Sequence, residues 1–282
     1  MTLPAPQERL RSHLQHLSRE RDPFIATAGH FFVQQYIQAQ LQQWGTVETH
    51  EFQHQQRSHT NLILNIPGQK SDLPILIGAH YDAVPGTPGA DDNASGVAAL
   101  LELAQALTAA PAHHAVRLVA FDLEEYGMVG SGHYAEMLQQ QGQPLRLMLS
   151  LEMLGYCTQA PNSQQYPIAA MKTIYPSTGN FVGLIGNLPT MLELLHFNHH
   201  MAEAGVPSQW LPAGMRGEML RATRLSDHSP FWDRGYRAIM VTDTAFMRNP
   251  HYHQPSDRLE TLDLDFLTGI CAGLIRAVQT LK

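Results

Sequence analysis

Cysteine is nearly missing from this chain: 282 residues carry only Cys157 and Cys271. That excludes a disulfide framework and leaves at most one bridge. Runs of lysine or arginine are absent too. The formal charge of −7 then argues against a nucleic-acid partner. No apolar stretch reaches about 18 residues unbroken, so nothing reads as a membrane span. The opening stretch, MTLPAPQERLRSHLQHLSRERDPF, has neither the apolar centre nor the small-residue cleavage site of a secretory leader. The expectation is a soluble cytoplasmic protein, or a secreted one whose leader has been removed. Charged residues are few, 15% against 44% hydrophobic. That balance suits a globular enzyme and is too apolar for disorder. No repeat, low-complexity segment or linker interrupts the chain, whose length suits one domain over 1–282.

What is present is an alternation. Leu10, Leu14 and Leu17 predict a helix over 6–20, and a broad apolar stripe predicts another over 26–44, stopped at Gly45. Strands follow near 46–53 and 59–66. PILIGA (74–79), AVRLVAF (115–121) and LRLMLSL (145–151) are apolar without alternation, as expected of strands buried on both faces. Helices fall between them at 94–108 and 130–140. The last predicted strands are 181–186 and 237–242, with helices over 189–204, 228–234 and 263–281. Strands alternating with helices predict a single-domain three-layer α/β/α fold around a mixed, mostly parallel sheet. Residues 157–180 break the rhythm. They are too long for a plain connector, and so are expected to be an insertion loop flanking a cleft.

The chemistry-bearing residues gather where these strands end. LIGAHYDAVPGTPGADDNASGVAALLELA (76–104) passes from apolar strand to apolar-faced helix through a loop carrying His80, Asp82, Asp91 and Asp92. Ligands of open α/β sheets sit at the carboxyl ends of strands, and imidazole with carboxylate is a ligand set for hydrolytic zinc. One aspartate capping the helix would explain a structural loop, but four such groups within thirteen positions exceed what a cap needs. Glu124 and Glu125 close the second buried strand. A metal hydrolase needs one carboxylate as ligand and another to take a proton from water. Glu152 ends the third strand, where an unpaired carboxylate is costly. NPHYHQPSD adds His251, Tyr252 and His253, the phenol being suited to hold an oxyanion.

Five runs together, AHYDAVPGTPGADDNASG, FDLEEYGMVGS, LEMLGY, SDHSPFWDRG and NPHYHQPSD, resemble the zinc-dependent exopeptidase family of the bacterial leucine-type aminopeptidases. Glutamate carboxypeptidase and glutaminyl cyclase are more distant relatives. The resemblance implies peptide hydrolysis by a zinc-activated water, acting on a peptide with a free N-terminus. It implies two zinc ions: His80 and Glu152 on one, Glu125 and His253 on the other, and Asp92 bridging both. Asp82 would orient the His80 ring, Glu124 would be the general base and Tyr252 the oxyanion donor. Asp91 would not be a ligand, nor would His133, His199, His200 or His251, while Asp227 and His228 would line the cleft or support the ligands. Many family members have aspartate at the position of Glu152. The added methylene shifts the carboxylate by roughly one bond length, beyond the ~0.5 Å tolerance of a preorganised site, which implies a weaker or different second ion.

Three rival readings share the fold. A glutaminyl cyclase-like acyltransferase would hold one zinc, and those relatives carry Trp rather than Tyr before the final histidine. A carboxypeptidase or dipeptidase would need cations for a carboxylate; Arg216, Arg221, Arg224 and Arg248 lie near the right motifs. A non-catalytic binding protein would have lost ligand positions, and here all are filled.

Overall fold

The computed structural model describes residues 5–70 and 73–282. The elements, in chain order, are α1 (Pro6–Leu17), α2 (Thr27–Leu41), β1 (Val47–His54), β2 (Arg57–Ile66), β3 (Ile75–His80), α3 (Gly96–Ala109), β4 (Val116–Phe121), α4 (Val129–Gln140), β5 (Leu147–Glu152), β6 (Val182–Asn187), α5 (Met191–Glu203), β7 (Ser208–Ala213), α6 (Ser229–Asp233), β8 (Ala238–Thr242) and α7 (Leu264–Thr280). The eight strands form one mixed sheet in the order β1-β2-β4-β3-β5-β8-β6-β7. Its centre, β4-β3-β5-β8, is parallel. The β1–β2 hairpin extends one edge antiparallel, and β6 joins β8 antiparallel at the other.

Pleat parity decides which side chains meet. Successive residues of a strand face opposite sides of the sheet. Ile75, Ile77 and Ala79 of β3, with Leu147, Leu149 and Leu151 of β5, pack under α1, α2, α3, α5 and α7. Leu76 and Met148 face the other way, against Tyr134 of α4 and Phe231 and Trp232 of α6. His80 and Glu152 share the parity of Leu76 and Met148. Gly78 pairs with Ser150, so the side chains of His80 and Glu152 leave neighbouring strand ends on the same face. The alternation that builds the core thereby also aims an imidazole and a carboxylate at one point.

Two local features differ from the predicted elements. The first helix ends at Leu17 rather than residue 20. Arg21 turns its guanidinium back onto the carbonyls of Leu17 (3.3 Å) and Arg19 (3.2 Å), so these acceptors serve a side chain instead of a further helical turn. The strand β7 was not predicted. It is a half-buried edge strand containing Pro212, which an edge tolerates because one side of its backbone needs no ladder bond. Among the described residues no helix is long and apolar enough to cross a membrane.

Gly78 is dictated by its neighbour. A Cβ there would lie 2.3 Å from Cε2 of the Phe121 ring, which is fully buried. Gly78→Ala is therefore expected to cost about 1–3 kcal/mol as the ring is forced aside. Urea unfolding checks this, and an unchanged midpoint would contradict the packing.

Candidate active site

The loop after β3 is shaped before any ligand is considered. Arg21, 1% exposed, donates to the carbonyls of Tyr81 (2.9 Å), Pro88 (2.5 Å), Gly89 (2.8 Å) and Asp92 (3.1 Å). Its planar fork suits several acceptors at once. Asp257 caps the same loop from the far end of the chain. Its two oxygens accept from the peptide N–H groups of Asp91 (2.9 Å) and Asp92 (3.1 Å). Asn93 donates to the Leu151 carbonyl and accepts from the Met153 N–H, tying the loop to the end of β5. Asp91 points inward, accepting from Gly155 N–H (2.8 Å) and Asn249 Nδ2 (2.7 Å). It is thus spent on structure, while Asp92 is left facing the cleft.

Around Asp92 the expected residues converge. His80 Nε2 lies 3.4 Å from Asp92 Oδ1, 3.6 Å from Glu152 Oε2 and 3.9 Å from Glu124 Oε2. His253 Nε2 lies 3.0 Å from Asp92 Oδ2 and 3.4 Å from Glu125 Oε2. Three overlapping donor sets result: His80, Asp92 and Glu152; Asp92, Glu125 and His253; and His80, Glu124 and Glu125. Donors sharing a tetrahedral zinc at about 2.0–2.1 Å stand roughly 3.3 Å apart, so the spacing suits such an ion. Both ring nitrogens of the fully buried His80, and Oε1 of Glu125, lack hydrogen-bond partners. Orphaned buried polar atoms are costly; a divalent cation would satisfy His80 Nε2, which faces Asp92 and Glu152, while Nδ1 faces Asp82. The residues fit such a group.

Glu152 reaches His80 despite its longer side chain, and the Ser226 hydroxyl donates to its Oε2 at 2.8 Å. Asp82 stands 3.3 Å from His80 Nδ1, but the alignment is too poor for a hydrogen bond. Its oxygens instead accept from the peptide N–H groups of Glu124 and Glu125, each at 3.1 Å. Asp82 therefore also presets the turn that presents the two glutamates. Three non-glycine residues at or beside the donors, Leu123, Met153 and His253, have φ of 60°, 46° and 56°. Such left-handed backbone costs energy and tends to mark functional sites.

The electrostatics are those of crowded, buried acids. Burial raises the Glu124 carboxyl well above its usual range, with Glu152, Glu125 and Asp227 adding and His80 opposing. Burial and the charge of Asp92 lift Glu125 to about 7, against His253 and His80. Burial also pushes Asp92 upward, but His253 and His80 outweigh it and hold this carboxyl below the usual range. Burial, then the neighbouring acids Asp92, Glu125, Glu152 and Glu124, raise the Tyr252 phenol, so it keeps its proton and remains a donor. The Tyr252 ring stacks on His253 at 3.7 Å.

The family pattern of "Peptidase family M28" matches residues 61–278. The chain belongs to peptidase family M28. It is 37% identical over 224 residues to the uncharacterized Escherichia coli protein YfbL, covering 74% of this chain and 67% of YfbL. To the probable lipoprotein aminopeptidase LpqL of Mycobacterium tuberculosis it is 29% identical over 231 residues, covering 77% of this chain and 44% of LpqL. It thus spans about two thirds of one relative and less than half of the other. The LapA aminopeptidase of Legionella pneumophila superposes with a TM-score of 0.74 at 18% identity over 98% of this chain and 73% of LapA. A Bacteroides thetaiotaomicron glutaminyl cyclase superposes with 0.69 at 15% identity over 100% of both chains. At such identities the structural likeness shows the fold alone.

An apolar pocket, partly open to solvent, adjoins the site, with Glu152 among its lining residues. Tyr166, Met171 and Tyr175 of the 157–180 segment line it, together with Trp210, Met240 and Phe246. Asp227 is buried beside the donors. Burial, then Glu152 and Asp82, raise it to about 7 against the pull of His80. His228 turns away: its Nε2 donates to the Thr223 carbonyl (2.8 Å) and its ring meets Trp232 edge-on. His251 bonds Ser256, His133 stacks on Phe52, and His199 and His200 face Glu203 on α5.

Sequence reasoning missed Arg21, Ser226 and Asp257. Ser226 and Asp257 lie inside quoted motif runs, so only their roles went unread. Arg21 carries no sequence signal beyond being an arginine flanked by charged residues. Ser226→Ala is expected to weaken divalent-cation affinity about 10–100-fold, as loss of a ligand's supporting hydrogen bond does, with circular dichroism unchanged. Chelator competition measures it, and unaltered affinity would show that Ser226 does not orient Glu152.

Proposed function

We propose that this protein is a zinc-dependent aminopeptidase that removes N-terminal residues from peptides. The observation that carries the reading is Asp92: its two oxygens face different imidazoles, and each imidazole has its own glutamate alongside. In this reading His80, Asp92 and Glu152 hold one zinc ion, and Asp92, Glu125 and His253 hold a second. Bound zinc supplies Lewis acidity for the scissile carbonyl and lowers the pKa of an attacking water towards ~7.

The chain's own groups do the rest. Glu124 sits beside His80 but outside the bridged pair, free to take a proton from water and return it to the leaving amine. The Tyr252 phenol, kept protonated, donates to the oxyanion of the tetrahedral intermediate. Asp82 fixes the Glu124–Glu125 turn, so base and ligand keep their relative placement. Surplus negative charge attracts a substrate's free α-ammonium group. The pocket beside Glu152 accepts the first side chain and favours large apolar ones.

The rival readings find less support. A carboxypeptidase needs cations for a carboxylate; of the four arginines considered, Arg216 donates to the Asp233 carbonyl, Arg224 pairs with the Asp233 carboxylate and Arg248 is buried on neutral acceptors, which leaves the exposed Arg221. A one-zinc cyclase has no use for a second complete donor set, and Tyr252 stands where those relatives carry Trp.

Glu124→Gln is expected to lower kcat by about 10²–10⁴-fold while zinc content stays the same. Retained turnover on an aminoacyl p-nitroanilide would refute its role. Metal uptake is expected to release protons. Burial lowers the His253 pKa, but Asp92 and Glu125 outweigh it and raise it to about 10, so the metal-free imidazole is charged at pH 7. A ligand must be deprotonated, so zinc affinity should rise with pH. Zinc added to weakly buffered apoprotein at pH 7 checks this, and binding without acidification would contradict it.

A further inference from the structure

One buried cation near the cleft takes no part in the chemistry described. Arg248 is 7% exposed, and among the described residues no carboxylate lies within ion-pair distance of it. Its Nε donates to Gln164 Oε1 (2.9 Å) and Thr244 Oγ1 (3.0 Å), and its Nη1 to the Phe181 carbonyl (2.7 Å). The guanidinium lies over the Phe181 ring at 4.5 Å, and Nη2 finds no partner. Removing a charge from water is costly, and here the nearest acids, Asp243 and Asp91, act on it only from beyond ion-pair distance. The fold carries that cost at a point where Arg248 ties three segments together.

All three segments line the apolar pocket: Gln164, Phe181 and Thr244 are each part of its wall. We propose that Arg248 is a positioning residue that sets the side-chain selectivity of this pocket. The inference rests on the aminopeptidase reading, in which the pocket receives the first side chain of the substrate. Arg248 does not itself line the pocket; it holds those that do. Gly179 lies so close that a Cβ would sit 3.1 Å from Arg248 Cδ, so the far end of the 157–180 segment packs directly on this side chain. Gln165 N–H bonds the Met247 carbonyl (2.7 Å), joining the same wall to the turn that carries Arg248. That turn holds Thr244 and Ala245 at φ of 80° and 49°, a conformation that persists only where surroundings enforce it. Phe246 and Met247 of the turn face the pocket. Releasing Arg248 frees both walls at once. Lysine, with one point of charge and no planar fork, cannot span the same acceptors.

The test is Arg248→Met in zinc-loaded enzyme, with kcat and KM measured on leucyl- and alanyl-p-nitroanilide. The leucyl KM is expected to rise more than kcat falls. The leucyl-to-alanyl ratio of kcat/KM should drop at least about tenfold, with zinc content unchanged. Arg248→Lys should leave the ratio depressed. A merely structural role would lower activity on both substrates alike, so an unmoved ratio overturns the proposal. If Arg248→Met does not fold, Gln164→Leu cuts the same tie from the pocket wall and must shift the ratio in the same direction. A wild-type enzyme that cleaves neither substrate overturns the aminopeptidase reading and this inference with it. A wild type that cleaves both equally overturns the pocket's role alone.

Discussion

Like charges forced together out of water are the constraint on which this structure turns. Asp82, Asp92, Glu124, Glu125, Glu152 and Asp227 converge on two imidazoles, most of them buried. Carboxylates so crowded cannot all stay ionised unless positive charge is supplied. Burial works against charge on the His80 imidazole, but Glu124, Asp82, Asp92 and Glu152 outweigh it and raise its pKa; two imidazoles still cannot balance six carboxylates. The cluster is stable as a set of anions only around cations. Its charge, geometry and unsatisfied atoms call for the same group.

The scaffold holds that arrangement by long-range ties rather than by local motif. Arg21 reaches the 88–92 loop from the N-terminal segment, and Asp257 reaches it from the segment before α7. Asn93 and Asp91 fasten the same loop to β5 and to Asn249. These ties hold Asp92 between its two histidines, as a preorganised site needs. The sheet contributes the other half: pleat parity and parallel register bring His80 and Glu152 to adjacent strand ends without any special loop.

Much of this was legible in the sequence, for identifiable reasons. The central strands declared themselves as apolar runs without alternation, and their ends coincided with acidic residues. Asp92, Glu125 and His253 stood in runs whose family resemblance assigned them. What stayed hidden was whatever depends on tertiary contact. The edge strand β7 carries Pro212 and no buried stripe. Arg21 contacts acceptors more than sixty residues away, and no periodicity announces that. The resemblance cast Asp82 as orienting the His80 ring; its carboxylate lies 3.3 Å from His80 Nδ1, and the bonds it also accepts from the Glu124 and Glu125 peptides carried no sequence signal. The longer side chain at Glu152 implied a weaker or different second ion, and what holds this carboxylate in place could not be read from the sequence. It lies 3.6 Å from His80 with Ser226 holding it.

The most direct measurement is anomalous diffraction at the zinc edge from crystals of the zinc-loaded protein. Two peaks are expected, one among His80, Asp92 and Glu152 and the other among Asp92, Glu125 and His253, with the Asp92 carboxylate touching both. Absence of zinc from this cluster, or a single ion with one Asp92 oxygen left facing an empty histidine, would contradict the bridged pair.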